Sequence, residues 1–209
     1  GEISILISQM NDAVAATKNL KQGKVNIGFP SIIGTMFLPT LLIEFQKKYP
    51  DISLHTVEAG GNALAGMVIS GDIDMAIIMR PVFSELLNEI PLIRDQVTAG
   101  VLPSHPLSRR SYVTIKDFDN LPFITFDKTF NMRAQLMELF RTEKFRPNIA
   151  FEGASCQFLF ELTTLSDGIL ILPRPIIEFY AHDSMITLPF KPSFQWELSL
   201  IFQKNTFLS

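Results

Sequence analysis

Apolar and polar positions alternate over Val25, Ile27 and Phe29, which predicts a strand. The period then changes. Met36, Phe37, Leu38, Leu41, Leu42 and Phe45 fall on one side of a helix, and Pro30, Ser31 and Gly34 supply a polar turn before it. Tyr49-Pro50-Asp51 stops that helix, because Pro50 disfavours its continuation. Ile52, Leu54, Thr56 and Val57 predict a second strand, and residues 58–62 a turn with Asn62 as helix N-cap. Leu64, Met67, Val68 and Ile69 form the next helical face, closed by Gly71. Residues 73–79 are almost continuously apolar, as in a strand covered on both faces. The order is β-α-β-α-β, which demands a parallel sheet with right-handed crossovers.

Beyond Arg80 the same alphabet is used in a different order. Residues 90–94, 96–102, 121–126, 149–152, 169–173, 186–188 and 196–202 read as strands. Residues 131–142 predict a helix with Met132, Leu136, Leu139 and Phe140 inward. Residues 156–165 predict another, with Phe158, Leu159, Leu162 and Leu165 inward, ended by Asp167-Gly168. A helical turn is expected around Pro175–Tyr180, and turns at 103–107 and 117–120. The fold class is therefore α/β, in two β/α units, with short passages near Arg80–Pro81 and His182–Met185 able to join them. At the other end, Ile3, Ile7, Met10, Val14 and Thr17 keep three-four spacing over an expected helix at 2–20, suited to packing on another helix or on its own domain.

Composition narrows the function. The chain has 209 residues, 47% of them hydrophobic and 19% charged, which supports sizeable cores and opposes disorder. A net charge of −3 opposes direct DNA binding by this chain. A single cysteine, Cys156, excludes an internal disulfide framework and is expected to be a small buried apolar residue rather than a sensor. No apolar run is long enough to span a membrane, and the N-terminal residues lack the pattern of a signal peptide. Gly1 in place of a starter Met leads us to expect an excised piece with more sequence upstream.

Catalytic motifs are missing. There is no G-x-S-x-G, no Walker A and no G-x-G-x-x-G. His55, His105 and His182 are far apart, without the close pairs of a zinc site, so no metal or cofactor is expected. Asp72 and Asp74 fit a turn better than an acid–base pair. What is left is polar and glycine residues at expected strand ends, where ligands of parallel sheets sit. Ser31 can offer a hydroxyl beside helix N–H groups, or be a simple turn serine. Gly60, Gly61 and Asn62 can let a ligand approach the backbone, or cap a helix. Thr125 is the matching polar group of the second unit, with Thr129 and Asn131 nearby. Arg80 can hold a carboxylate ligand, or pair with a Glu or Asp of the chain. Phe126 and Phe158 are expected in the core.

Several segments in sequence resemble one family. Residues 27–29, 38–45, 49–51, 58–60 and 71–77 are similar to the first lobe of the effector-binding domain of LysR-type transcriptional regulators. Ser104-His105-Pro106-Leu107 resembles that family's "HPL" turn. Residues 162–173 resemble its "V-x-x-G-x-G-I-x-x-L-P" segment, with Ser166-Asp167 a departure. The resemblance runs from Lys24 to about Gln203. It implies two Rossmann-like lobes with a central cleft, of the type II periplasmic-binding-protein kind, preceded by part of a linker helix. The implied divisions are 1–21 for the end of that helix, 24–81 with 186–209 for lobe I, and 82–185 for lobe II. It implies a cytoplasmic bacterial regulator that self-associates as dimer or tetramer and reaches promoter DNA only through a winged helix-turn-helix outside this chain. It implies a small effector, a carboxylate or other anion, contacted by Ser31 with Ile32 and Ile33, by Gly61 with Asn62, by Thr125 with Phe126, and by Arg80. The alternative is a stand-alone periplasmic-type solute-binding protein, opposed by the missing signal peptide. An enzyme is the third class, with no motif behind it.

Overall fold

The computed structural model of the protein describes residues 23–204 apart from Phe83 and Thr129. The expected helix at 2–20, and Thr129 as a cleft residue, lie outside them. The chain forms two compact units. The first runs to Arg94 and resumes at Glu197; the second is Asp95–Trp196.

In the first unit, β1 (Gly23–Phe29) is the central strand. It pairs in parallel with β2 (Ile52–Glu58) on one side and β3 (Met75–Met79) on the other, as the β-α-β-α-β pattern requires. Two helices replace the expected turn and single helix. Pro30, extended at ψ 147°, is N-cap to α1 (Ser31–Met36), and α2 (Leu38–Lys48) restarts with a proline in its first turn. The residues read as a turn are therefore helical: Ile33 and Gly34 N–H both donate to the Pro30 carbonyl. The third helix, α3 (Gly61–Ser70), is capped by Gly60 rather than Asn62, which lies inside it. It ends at Gly71 in the left-handed region, φ 82°, a conformation that costs glycine little. The helix lies close to β1 at Gly28, where an added Cβ would stand 2.5 Å from Leu64 and 2.7 Å from Ile73. Leu64, Val68, Ile73, Ala76, Ile78, Leu87 and Ile201 form the core beneath it.

The chain leaves along β4 (Leu87–Val101) and returns along β8 (Ile186–Gln203). Each replaces two shorter predicted strands. The units accordingly divide at Arg94 and Glu197, within these strands, and not near residues 81 and 185. Asp95, which fell between two predicted strands, is paired with Arg174 at 2.7 Å, and Arg94 beside it with Glu197 at 3.3 Å. In the first unit β3 pairs antiparallel with the end of β8, Met75 facing Phe202 and Met79 facing Leu198.

In the second unit β5 (Pro122–Phe126) pairs in parallel with β6 (Asn148–Gly153) and β7 (Ile169–Pro173), and the end of β4 runs antiparallel to β7. Its helices are α4 (Asn131–Thr142), α5 (Cys156–Ser166) and α6 (Arg174–Ala181). Phe123 anchors an aromatic cluster, its ring 5.3 Å from Phe118, 5.4 Å from Phe140 and 6.1 Å from Phe145. The predicted "HPL" turn is a short 3-10 helix at Pro106–Arg109; the buried His105 accepts the Leu107 N–H through Nδ1 at 3.1 Å.

One predicted face is corrected. Helix α5 buries Cys156, Leu159, Phe160 and Thr163, while Phe158 and Leu165 are exposed, Leu165 by 84%. The polar Thr163 can be inward because its hydroxyl donates to the Leu159 carbonyl at 2.7 Å, leaving its methyl to pack. Leu159→Ala is expected to cost about 2–5 kcal/mol of unfolding free energy and Leu165→Ala less than about 0.5 kcal/mol in urea denaturation; equal losses would restore the predicted face.

Candidate functional site

In each unit, the carboxyl end of the central parallel strand is tied to that of a neighbour by one backbone hydrogen bond. Ala59 N–H donates to the Phe29 carbonyl at 3.2 Å in the first unit; Asp127 N–H donates to the Gly153 carbonyl at 3.1 Å in the second. Most of the polar residues singled out from the sequence stand at these two edges.

At the first edge, Phe29 and Glu58 are register partners. Ser31 lies two residues past the β1 end, exposed, and its hydroxyl donates to Glu58 Oε1. Ile32 is half-buried and Ile33 is buried in the core, so Ile33 presents no side-chain surface. Gly61 opens α3 and Asn62 follows it, exposed. No side chain caps either α1 or α3. Beside them a Cβ on Gly60 would meet nothing within 4 Å, so the space over the β2–α3 turn is open.

Arg80 takes the second of its two expected roles. Its Nε lies 2.6 Å from Glu89 Oε1 and its Nη1 3.0 Å from Glu197 Oε1. The hydrogen bond to Glu197, opposed by desolvation, raises its pKa further, and Glu89 adds to the effect. Asp72 holds a turn as expected, accepting the Ser70 hydroxyl at 2.5 Å, whereas Asp74 ties the chain to β1 by accepting the Asn26 N–H at 2.7 Å.

At the second edge, Thr125 is fully buried, and its hydroxyl finds no hydrogen-bond partner among the described residues. A buried hydroxyl left unpaired costs about 1–3 kcal/mol. Thr125 is the register partner of Glu152, whose carboxylate accepts Arg133 Nε at 3.1 Å. The Arg133 side chain is only 12% exposed. Phe126 is buried and stacks on Phe130, with centroids 4.2 Å apart and planes 9° from parallel. Phe130 is the N-cap of α4 and itself supplies no side-chain acceptor. Cys156 is buried, and desolvation pushes its thiol up to about 12, which keeps it protonated and unreactive.

Sequence reading overlooked Glu58 and Arg133. Arg133 had a signal: a cation in the first turn of a helix opposes the dipole and needs a local partner. Glu58 had none beyond its place at a strand end. Among the described residues no group of three or more His, Cys, Asp and Glu could hold a metal ion, and no helix is long and apolar enough to cross a membrane.

With this geometry in place, the likeness to known proteins can be judged. Residues 18–209 match the LysR substrate binding domain. The chain belongs to this family. The resemblance read from its motifs is thereby borne out, as is the two-lobed, periplasmic-binding-protein-like α/β class. Among curated proteins, the HTH-type transcriptional regulator YwbI of Bacillus subtilis is 27% identical over 191 residues, covering 91% of this chain and 64% of that protein. This chain thus spans less than two thirds of that relative's length. Among solved structures, the effector binding domain of QuiR in complex with shikimate has a TM-score of 0.77 at 22% identity, covering 90% of each chain. The regulatory domain of Synechocystis CcmR in complex with 2-PG has a TM-score of 0.80 at 20% identity, covering 90% of this chain and 91% of that one.

Two outcomes follow for the second edge. Thr125→Val, which removes the unpaired hydroxyl at nearly constant shape, is expected to raise unfolding free energy by about 1 kcal/mol in ligand-free protein. A loss of stability would mean that the hydroxyl is satisfied. Cys156 is expected to react with iodoacetamide at pH 8 only in denaturant; rapid labelling of folded protein would contradict its burial.

Proposed function

We propose that this chain is the effector-sensing and oligomerisation domain of a bacterial LysR-type transcriptional regulator. A small molecule binds at the strand-end turns and changes the conformation of the domain. That change reaches promoter DNA through a winged helix-turn-helix outside this chain. The protein works in the cytoplasm as a dimer or tetramer, and is a sensor rather than an enzyme. The observation that carries this reading is the family match over residues 18–209. Two relatives of the same fold are described in complex with shikimate and 2-PG, which favours a sensor over a stand-alone solute-binding protein.

The residues proposed to meet the effector are Ser31, Ile32 and Ile33 with Gly61 and Asn62 on the first edge, and Thr125 and Phe126 on the second. Ile33 takes part through its backbone, since its side chain is buried. Arg80, bound by Glu89 and Glu197, acts by holding the strands that carry the chain between units, and reaches the effector only if those pairs open. An anionic group on the effector suits the second edge, where the Thr125 hydroxyl is a donor without a partner among the described residues.

The test is calorimetry on this chain against small carboxylates, after a thermal-shift screen. Ser31→Ala and Thr125→Ala are expected to weaken the binding of a hit by about 1 kcal/mol each for a neutral hydrogen bond, with folding intact. Unchanged affinity in both variants would remove this site. The complete regulator is expected to retard promoter DNA in a gel, and this chain alone is not.

A further inference from the structure

We propose that the first strand edge selects an effector bearing a protonated amine, and that Glu58 is the residue that selects it. The inference rests on the effector-sensing reading above and refines the chemistry of that site. A serine hydroxyl has one proton to give, and that of Ser31 is given to the Glu58 carboxylate. With the proton committed, both groups offer a ligand lone pairs only. A carboxylate brought to Ser31 would find no hydroxyl donor there and would face the charge of Glu58.

The pair is placed by the fold rather than by chance side-chain reach. Phe29 and Glu58 are register partners, and the Ala59-to-Phe29 hydrogen bond holds the two strand ends together one residue further on. Ser31 and Glu58 are both exposed, and the space over Gly60 is open, so a ligand group can approach them. Among the described residues no lysine or arginine pairs with Glu58, whereas Glu152, one residue short of the end of β6 at the second edge, is taken by Arg133. The two edges therefore differ in their side chains: at the second the glutamate is paired with an arginine, and at the first Glu58 has only the Ser31 hydroxyl.

The experiment is a thermal-shift and calorimetric comparison on this chain. The panel contains L-α-amino acids, each beside its 2-oxo acid and its deaminated acid, together with simple primary amines. An amino-bearing member is expected to raise the unfolding midpoint while its oxo and deaminated counterparts do not. Glu58→Gln is expected to weaken that member at least about tenfold, and Ser31→Ala to weaken it less. Oxo or deaminated acids binding as tightly as the amino acid would overturn the inference and leave the sensor reading standing. So would unchanged affinity in Glu58→Gln with folding intact. If Glu58→Gln is unstable, Glu58→Asp, which keeps the charge and shortens the arm, is expected to retain the preference for amines. Silence of the entire panel would count against both readings.

Discussion

The pairing of Met75–Met79 with Leu198–Phe202 is the constraint on which the first unit depends. The strand β3 has β1 on one side and only this late segment on the other. Without it, the nearly continuous apolar run of β3 would be left at an open edge, where unpaired backbone groups invite misassociation. The partners are remote in sequence: Arg80 and Glu197, which seal the end of the pairing by an ion pair and by the Arg80 N–H to the Glu197 carbonyl, are 117 residues apart. Contacts so far apart form late, because loop closure precedes the gain from pairing.

The two candidate edges share a construction and differ in chemistry. Each uses a backbone hydrogen bond just past the strand end to fix the spacing of two neighbouring turns. On that common frame, side chains set the character of each edge. At the first, serine and glutamate meet each other; at the second, arginine covers the glutamate and threonine is left buried and unpaired. A parallel sheet thus supplies position, and a few residues at the strand ends supply preference.

Much of the fold was legible because burial leaves a period in the sequence. The span of α4 coincides with the predicted helix, and that of β7 with the predicted strand, since both have strong patterns and clear stops. The pattern misled where polar residues are satisfied locally. Thr163 faces inward because a helix carbonyl takes its proton, and this turned α5 away from its predicted face. Asp95 fell between two predicted strands, yet it has an ionic partner in Arg174, and β4 runs through it. At the site, the positions of Ser31, Gly61 and Thr125 were legible as polar or flexible residues at strand ends. Their partners were not, because a hydroxyl's hydrogen bond is set by residues distant in sequence, and nothing in the local pattern joins Ser31 to Glu58.

The second unit is one uninterrupted stretch of chain, Asp95–Trp196, whereas the first is built from pieces on either side of it. During synthesis the ribosome therefore delivers every residue of the second unit before the last strand of the first. The second unit can close its core while β3 still waits for its partner. The unit that finishes first is the one nested within the other in sequence, and the residues that complete the outer sheet leave the exit tunnel after it.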